Sequence, residues 1–196
     1  MKKYEDKIKA HPVVKELMEV AKALGHASSA MLTGGAVVDI LDGREPKDYD
    51  ISWKYCDGIH DKLELHKDFK LLYESMTATT YLFKGKHKIQ ILKNGTETFP
   101  FLNDLILFRM DGRIDSLKNK HLRSILENRI IMVNDYRVVD LGISRKLFKA
   151  RVKKWESKGY KMHPITYKSY IKMTKHKSMF RKFVEVFTGG NSETES

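Results

Sequence analysis

The stretch that most restricts this chain is MLTGGAVVDILDGREPKDYDIS, residues 31–52. An apolar run ends at Gly34-Gly35, and thirteen residues after the second glycine comes Asp48-Tyr49-Asp50, followed by Ile51. Residues 29–33 read as a short buried strand and 36–42 as a short helix that starts directly after the glycines. Residues 43–47 read as a loop and 50–53 as a second strand. A glycine pair between strand and helix lets backbone approach a ligand closely, and the N–H groups at the helix start can receive phosphate oxygens. The pattern is neither GxGxxG nor GxxxxGK[ST]. On a strand, residues i and i+2 share a face, so Asp48 and Asp50 project together. Two carboxylates so placed repel unless a cation lies between them, and oxygen donors of this kind suit Mg²⁺ or Mn²⁺. Two such ions can activate an attacking hydroxyl and neutralise a triphosphate in transit. An isolated glycine pair is most often just a turn, and an isolated DxD a solvated strand start; their ordered combination is the informative feature.

That combination resembles the head domain of CCA-adding enzymes and bacterial poly(A) polymerases, members of the polymerase-β-like nucleotidyltransferase superfamily. The residues in step are Gly34, Gly35, Val37, Asp39, Leu41, Gly43, Pro46, Asp48, Asp50 and Ile51, whereas Val38 stands where the family has arginine. The resemblance implies an α+β fold: a nucleotidyltransferase head domain, with a mixed β-sheet flanked by helices, followed by a short basic helical neck-like region. It also implies transfer of a nucleoside monophosphate from an NTP to a hydroxyl, with pyrophosphate leaving. Gly34 and Gly35 would hold the triphosphate, and Asp48 and Asp50 would be the catalytic pair that binds Mg²⁺ or Mn²⁺. Thr33, next to the glycines, is a candidate phosphate contact whose alternative role is strand packing. Arg44 and Lys47 lie in the intervening loop, where their positive charge would meet phosphate.

Later blocks of the resemblance carry departures. The family's third carboxylate lies on a later strand, and here Gln90 occupies that position. A glutamine can offer a metal its carbonyl but neither a base nor a negative charge. Glu97 and Asp104 lie nearby without aligning. Asn103 matches the asparagine of the next block, and Gly112, Ile114, Asp115, Leu117, Lys118, Asn119, Leu122 and Arg123 match the one after. Arg145, Arg151 and Gly159 fit the base-reading helix, but its acidic pair falls on Leu141 and Gly142. Family members continue with long helical body and tail domains that hold tRNA; little of this sequence follows the neck-like block.

Elsewhere, helical spacing of Val14, Leu17, Met18, Ala21 and Leu24 predicts a helix over 11–25. Asp57 is a candidate cap for a helix reaching about residue 67. Strands are expected at 70–74, 79–84 and 88–92, the last two joined by a Gly85-Lys86 turn. Phe99 to Asp104 reads as irregular or the start of a helix. Hairpins are expected about Asp111-Gly112 and Asn134-Asp135, with a helix over 116–128 between them. From Ser144, Leu147, Phe148, Val152 and Trp155 form one apolar stripe; Gly159 ends that helix, and another begins near Pro164 and Thr166. Tyr167 and Tyr170 are candidates for base stacking or, more simply, helix core. The expected organisation is a head over 1–140, a basic neck-like region over 141–188 and a disordered tail over 189–196.

The chain has 196 residues and a net charge of +12. Residues 145–182 hold fourteen Lys or Arg and one acid, Glu156, whereas the rest holds 23 basic and 24 acidic residues. The whole excess is thus one block, which favours a polyanion such as RNA, above all tRNA by the family resemblance; the plainer alternative is a solvated Lys-rich surface. One cysteine, Cys56, cannot form an internal disulfide, and with no apolar N-terminal stretch or 18-residue apolar run this points to the cytoplasm and away from membranes. No His/Cys spacing matches a zinc site. Two other readings stay open: a degraded relative that binds RNA or nucleotide without transfer, and an interaction protein such as an inhibitor or antitoxin. The sequence leaves the acceptor, the preferred NTP and the oligomeric state open.

Overall fold

The computed structural model describes residues 1–53, 58–93, 99–134, 144–164, 166 and 168. Two N-terminal helices open it, α1 (Lys2–Lys9) and α2 (Pro12–Ala23). The first escapes a periodicity reading because Ile8 is its one buried residue. The second starts on Pro12, where the missing N–H costs nothing, and buries Val13, Val14, Leu17, Val20 and Ala21. Then follow β1 (Ala30–Leu32), α3 (Gly34–Leu41), β2 (Tyr49–Trp53), α4 (Ile59–Glu64), β3 (Phe69–Glu74), β4 (Ala78–Phe83) and β5 (His87–Leu92). A 3₁₀ turn (Leu102–Leu105), β6 (Phe108–Arg109), a second 3₁₀ turn (Asp115–Lys118), α5 (Lys120–Glu127), β7 (Ile130–Ile131), α6 (Arg145–Glu156) and β8 (Lys161–Met162) complete the described elements.

Six strands form one mixed sheet in the order β3-β4-β5-β2-β1-β6. Only β2 and β5 run parallel; the other pairs are antiparallel. Side chains alternate between the two faces along the strands, apart from an irregularity in β3 between Leu71 and Tyr73. Tyr49, Ile51, Ile89, Ile91, Tyr81, Phe83 and Phe69 project to one face and are buried. Asp50, Gln90 and Thr80 project to the other, paired across neighbouring strands. Three residues, Lys84 to Lys86, join β4 to β5, with positive φ at Lys84 (49°) and Gly85 (67°) and the Lys86 N–H donating to the Phe83 carbonyl at 3.1 Å.

Several expectations are corrected. The turn at Asp111-Gly112 forms, with Arg109 N–H donating to the Arg113 carbonyl at 2.8 Å, but its return arm is not a strand. The Ile114 N–H donates instead to Glu5 of α1 at 3.1 Å. The helix expected over 116–128 is broken by Asn119, whose side chain accepts from the His121 N–H and so caps α5 one turn late. Gly58 is the N-cap of α4, which ends at Glu64, short of residue 67; Asp57 lies outside the described residues together with Cys56, Glu97, Leu141, Gly142, the return arm of the Asn134-Asp135 hairpin, Tyr167, Tyr170 and the 189–196 tail. Ile130 and Ile131 pair in parallel with Lys161 and Met162.

Helix α6 is capped by Ser144, which accepts from the Leu147 N–H, and it docks through Phe148, Val152 and Trp155. Leu147, expected on that stripe, is exposed. Phe148 lies 5.4 Å from Phe101, and Trp155 lies 5.2 Å from Tyr160 in an edge-on contact. Trp155 is 1% exposed, so Trp155→Ala should cost about 3–5 kcal/mol by leaving a cavity. A lowered urea midpoint with one cooperative transition is expected; an unchanged midpoint would show that α6 adds nothing to the fold.

Candidate functional site

Strand β2 presents Asp50 on the polar face, with Asp48 two residues earlier in the chain. The parallel pairing with β5 sets Gln90 directly beside Asp50, and Thr80 beside Gln90 in turn. Asp50 is only half-buried as a residue, but its Oδ1 is shut off from solvent and has no hydrogen-bond partner. Burial, and then the neighbouring Asp48 carboxylate, push its carboxyl up to about 6, partly offset by Lys154 and Arg151. A buried carboxylate oxygen left unpartnered beside a second carboxylate is costly unless a cation meets it.

The glycine turn is fastened to this strand, because the Thr33 N–H donates to the Asp50 carbonyl at 2.9 Å. Gly34 adopts φ +28°, and a Cβ on it would lie 2.6 Å from the Asp104 Cα. Its N–H donates to the Ile106 carbonyl. Gly34 therefore serves close packing, and Gly35 faces the cations: a Cβ there would sit 3.6 Å from Lys154 Nζ and 3.8 Å from Lys158 Nζ. Asp104, brought in by the Leu102–Leu105 turn, is buried and lies 3.6 Å from Arg151. Burial raises its carboxyl, opposed by Arg151, Lys154 and Lys158.

The other expected residues are placed as follows. Thr33 is 1% exposed at the N-cap of α3, and its side chain makes no capping bond. Asn103 is fully buried; its amide donates to the Ile130 carbonyl at 2.7 Å and accepts from the Met132 N–H at 3.0 Å. It joins β7 to the Leu102–Leu105 turn. Arg44 is engaged away from the acid pair, by Asp39 at 3.0 Å and Asp42 at 2.6 Å. Lys158 joins the same cluster through Asp39 at 2.7 Å, as does Arg129 through Asp42 at 2.9 Å. Lys47 is exposed, Arg151 is half-buried, and Arg145 opens α6.

Sequence reasoning missed Asp104 as a neighbour of the glycine turn, and Lys154 and Lys158 as its cationic wall. The signal was thin: a small residue at 34 hints that something packs closely, but not what. Among the described residues no group of three or more His, Cys, Asp or Glu converges on one point. The donors nonetheless fit a hard divalent cation held by two carboxylates, with remaining ligands from substrate phosphate or water.

No protein-family model matches the sequence, and no curated protein matches it significantly. Among solved structures, the fold is similar to the CCA-adding enzyme of Thermotoga maritima complexed with tRNA: TM-score 0.65, 16% identity, 92% of this chain and 46% of that one. It is similar to a CCA-adding enzyme complexed with ATP, with TM-score 0.67 at 16% identity over 88% and 45% of the two chains. For the Bacillus stearothermophilus CCA-adding enzyme in complex with CTP, the values are 0.58, 17%, 81% and 43%. This chain thus spans less than half the length of these enzymes. Its mixed sheet and flanking helices match the fold of their nucleotidyltransferase head domain. No helix among the described residues is long and apolar enough to cross a membrane.

Two outcomes follow from the geometry. Gly34→Ala must push the Asp104 backbone aside and hold a strained φ, so thermal unfolding should come at a clearly lower temperature, by about 2 kcal/mol or more. An unchanged melting curve would contradict that contact. Asp50 has a carboxyl raised from 3.8 in the unfolded chain to about 6 in the folded one, so folding disfavours its charged form. Without metal, the stability that the protonated Asp50 carboxyl contributes is therefore fully present below pH 4, falls between pH 4 and 6 and is lost above that. Asp50→Asn should be more stable than the parent by up to about 3 kcal/mol at pH 8 with chelator, and by little at pH 3.5. Equal urea midpoints at both pH values would refute this.

Proposed function

We propose that this chain is a metal-dependent nucleotidyltransferase, moving a nucleoside monophosphate from an NTP to an acceptor hydroxyl, most simply an RNA 3′ end such as that of tRNA. The observation that carries the reading is the Asp48–Asp50 pair, with the unpartnered Asp50 Oδ1, tied through Thr33 to a glycine turn flanked by Lys154 and Lys158. The fold and the NTP- and tRNA-bound states of the similar structures support it.

In this reading the triphosphate lies along Gly35, where Lys154 and Arg151 oppose its charge and the start of α3 offers N–H groups. Asp48 and Asp50 would hold Mg²⁺ or Mn²⁺, which neutralises phosphate charge and makes the acceptor hydroxyl a better nucleophile. The hydroxyl oxygen bonds to the α-phosphorus, the bond from that phosphorus to the bridging oxygen breaks, pyrophosphate leaves and the hydroxyl proton passes to water. Asp39, Asp42 and their cations keep the end of α6 against α3, so that Lys158 and Lys154 stay over the glycine turn. Residues 1–140 would form the head and 141–188 the basic neck-like region, with RNA held along 145–182, in the cytoplasm.

A second reading rests on Gln90, which stands in register beside Asp50 where a third carboxylate would complete the site. A chain of this kind would bind nucleotide or RNA without transfer. Incubation with each α-³²P-NTP, Mg²⁺ or Mn²⁺, and total RNA separates the two. Label on RNA with the parent chain, and at least a hundredfold less with Asp48→Asn/Asp50→Asn, is the expected result. No label on any acceptor, with RNA binding that survives the double substitution, would leave the binding protein.

A further inference from the structure

The polar face of the sheet does not end at Gln90. The pairing continues from Asp50 on β2 through Gln90 on β5 and Thr80 on β4 to Tyr73 on β3, so all four side chains share one face. Lys88 lies on this face two residues before Gln90, and Lys70 reaches it through its pairing with Leu82. Both lysines are exposed, and Tyr73 is 51% exposed although it is an aromatic on a strand. The opposite face of the same strands buries Phe69, Tyr81, Phe83, Ile89 and Ile91. The Asp48–Asp50 pair thus stands at a seam. The Gly35 turn and the Lys154 wall lie to one side, and to the other lies a half-sheet with two exposed ammonium groups and an exposed ring, among which Thr80 is closed off from solvent.

The geometry points to this half-sheet, from Lys88 to Tyr73, as the track for a single-stranded nucleic-acid acceptor whose 3′ end reaches the acid pair. This rests on the transfer reading and deepens it by fixing the acceptor's form and path. Three strand spacings separate Tyr73 from Asp50, about 14 Å, which is the reach of two to three extended nucleotides. An exposed ring offers a stacking platform to any base, and paired lysines follow a phosphate backbone; that combination marks single-strand binding. A duplex end is a poorer match, because its bases are already stacked and have no need of the ring. A protein partner is disfavoured because, among the described residues of β3, β4 and β5, no acid shares this face with the two exposed lysines.

Fluorescence anisotropy with a labelled twelve-nucleotide single-stranded RNA tests this on the full chain, beside a fluorescent ATP analogue. Tyr73→Ala should weaken RNA binding about fivefold or more, and Tyr73→Phe should retain it. Lys70→Ala/Lys88→Ala should lower the salt slope by about 1.4, the value for two lost single-strand phosphate contacts. The ATP analogue should bind all variants equally. RNA binding by Tyr73→Ala and the lysine variant within twofold of the parent would overturn the track. So would a blunt duplex that competes as well as the single strand, or loss of a protein partner from these variants with RNA binding intact. The transfer reading fails separately. No label from any NTP, with single-strand binding that still depends on Tyr73, would remove the chemistry and keep the track. Transfer to RNA with an unchanged KM for RNA in these variants would keep the chemistry and remove the track.

Discussion

The approach of Gly34 to the backbone of Asp104 is the contact on which the rest of the site depends. A side chain at position 34 would collide with the Asp104 Cα, and the +28° φ is one that only glycine holds cheaply. Because that gap closes, the start of α3 presses onto the Leu102–Leu105 turn, and the Gly34 N–H completes the join at the Ile106 carbonyl. From there each link is a bond of known length. Thr33 ties the turn to Asp50, Asn103 ties it to β7, and Asp104 meets Arg151 of α6.

Charge then divides into two populations that behave differently. Asp39 and Asp42 are matched by Arg44, Arg129 and Lys158, and this cluster fastens the end of the basic helix to α3. Asp50 and Asp104 each hold a buried oxygen that no hydrogen bond satisfies. Their cationic neighbours soften that cost without cancelling it, and both carboxyls are raised. A fold that maximised its stability would not bury unpartnered carboxylates here. The hydrophobic face of the same sheet, with Tyr49, Ile51, Ile89 and Tyr81 closed off from water, supplies the stability against which that cost is set.

Much of this was legible from residue order because it is local. Alternation fixed β4 and β5, helical spacing fixed α2 and α6, and the i, i+2 rule placed Asp48 and Asp50 on one face. The family resemblance marks Gln90 as the residue at the third-carboxylate position, and the parallel register of β2 and β5 sets it beside Asp50. The partners of Arg44 and Asn103 are not legible in the sequence, because a polar side chain near a motif gives no sign of which group it meets. Arg44 spends its donors on Asp39 and Asp42, and Asn103 spends its amide on the backbone of Ile130 and Met132. The broken helix at Asn119 was missed because periodicity runs across a cap without registering it.

The sequence alone determined the glycine turn, the paired carboxylates, the alternating strands and the concentration of positive charge after residue 144, since each is written within a few neighbouring residues. Tertiary structure alone decided which cations stand over the glycines and which polar groups are consumed by the fold. Lys154 and Lys158 lie more than a hundred residues from Gly35, and no local pattern encodes that meeting. It arises because Phe148, Val152 and Trp155 must leave water, and the surface that receives them fixes the direction in which the opposite side of their helix points.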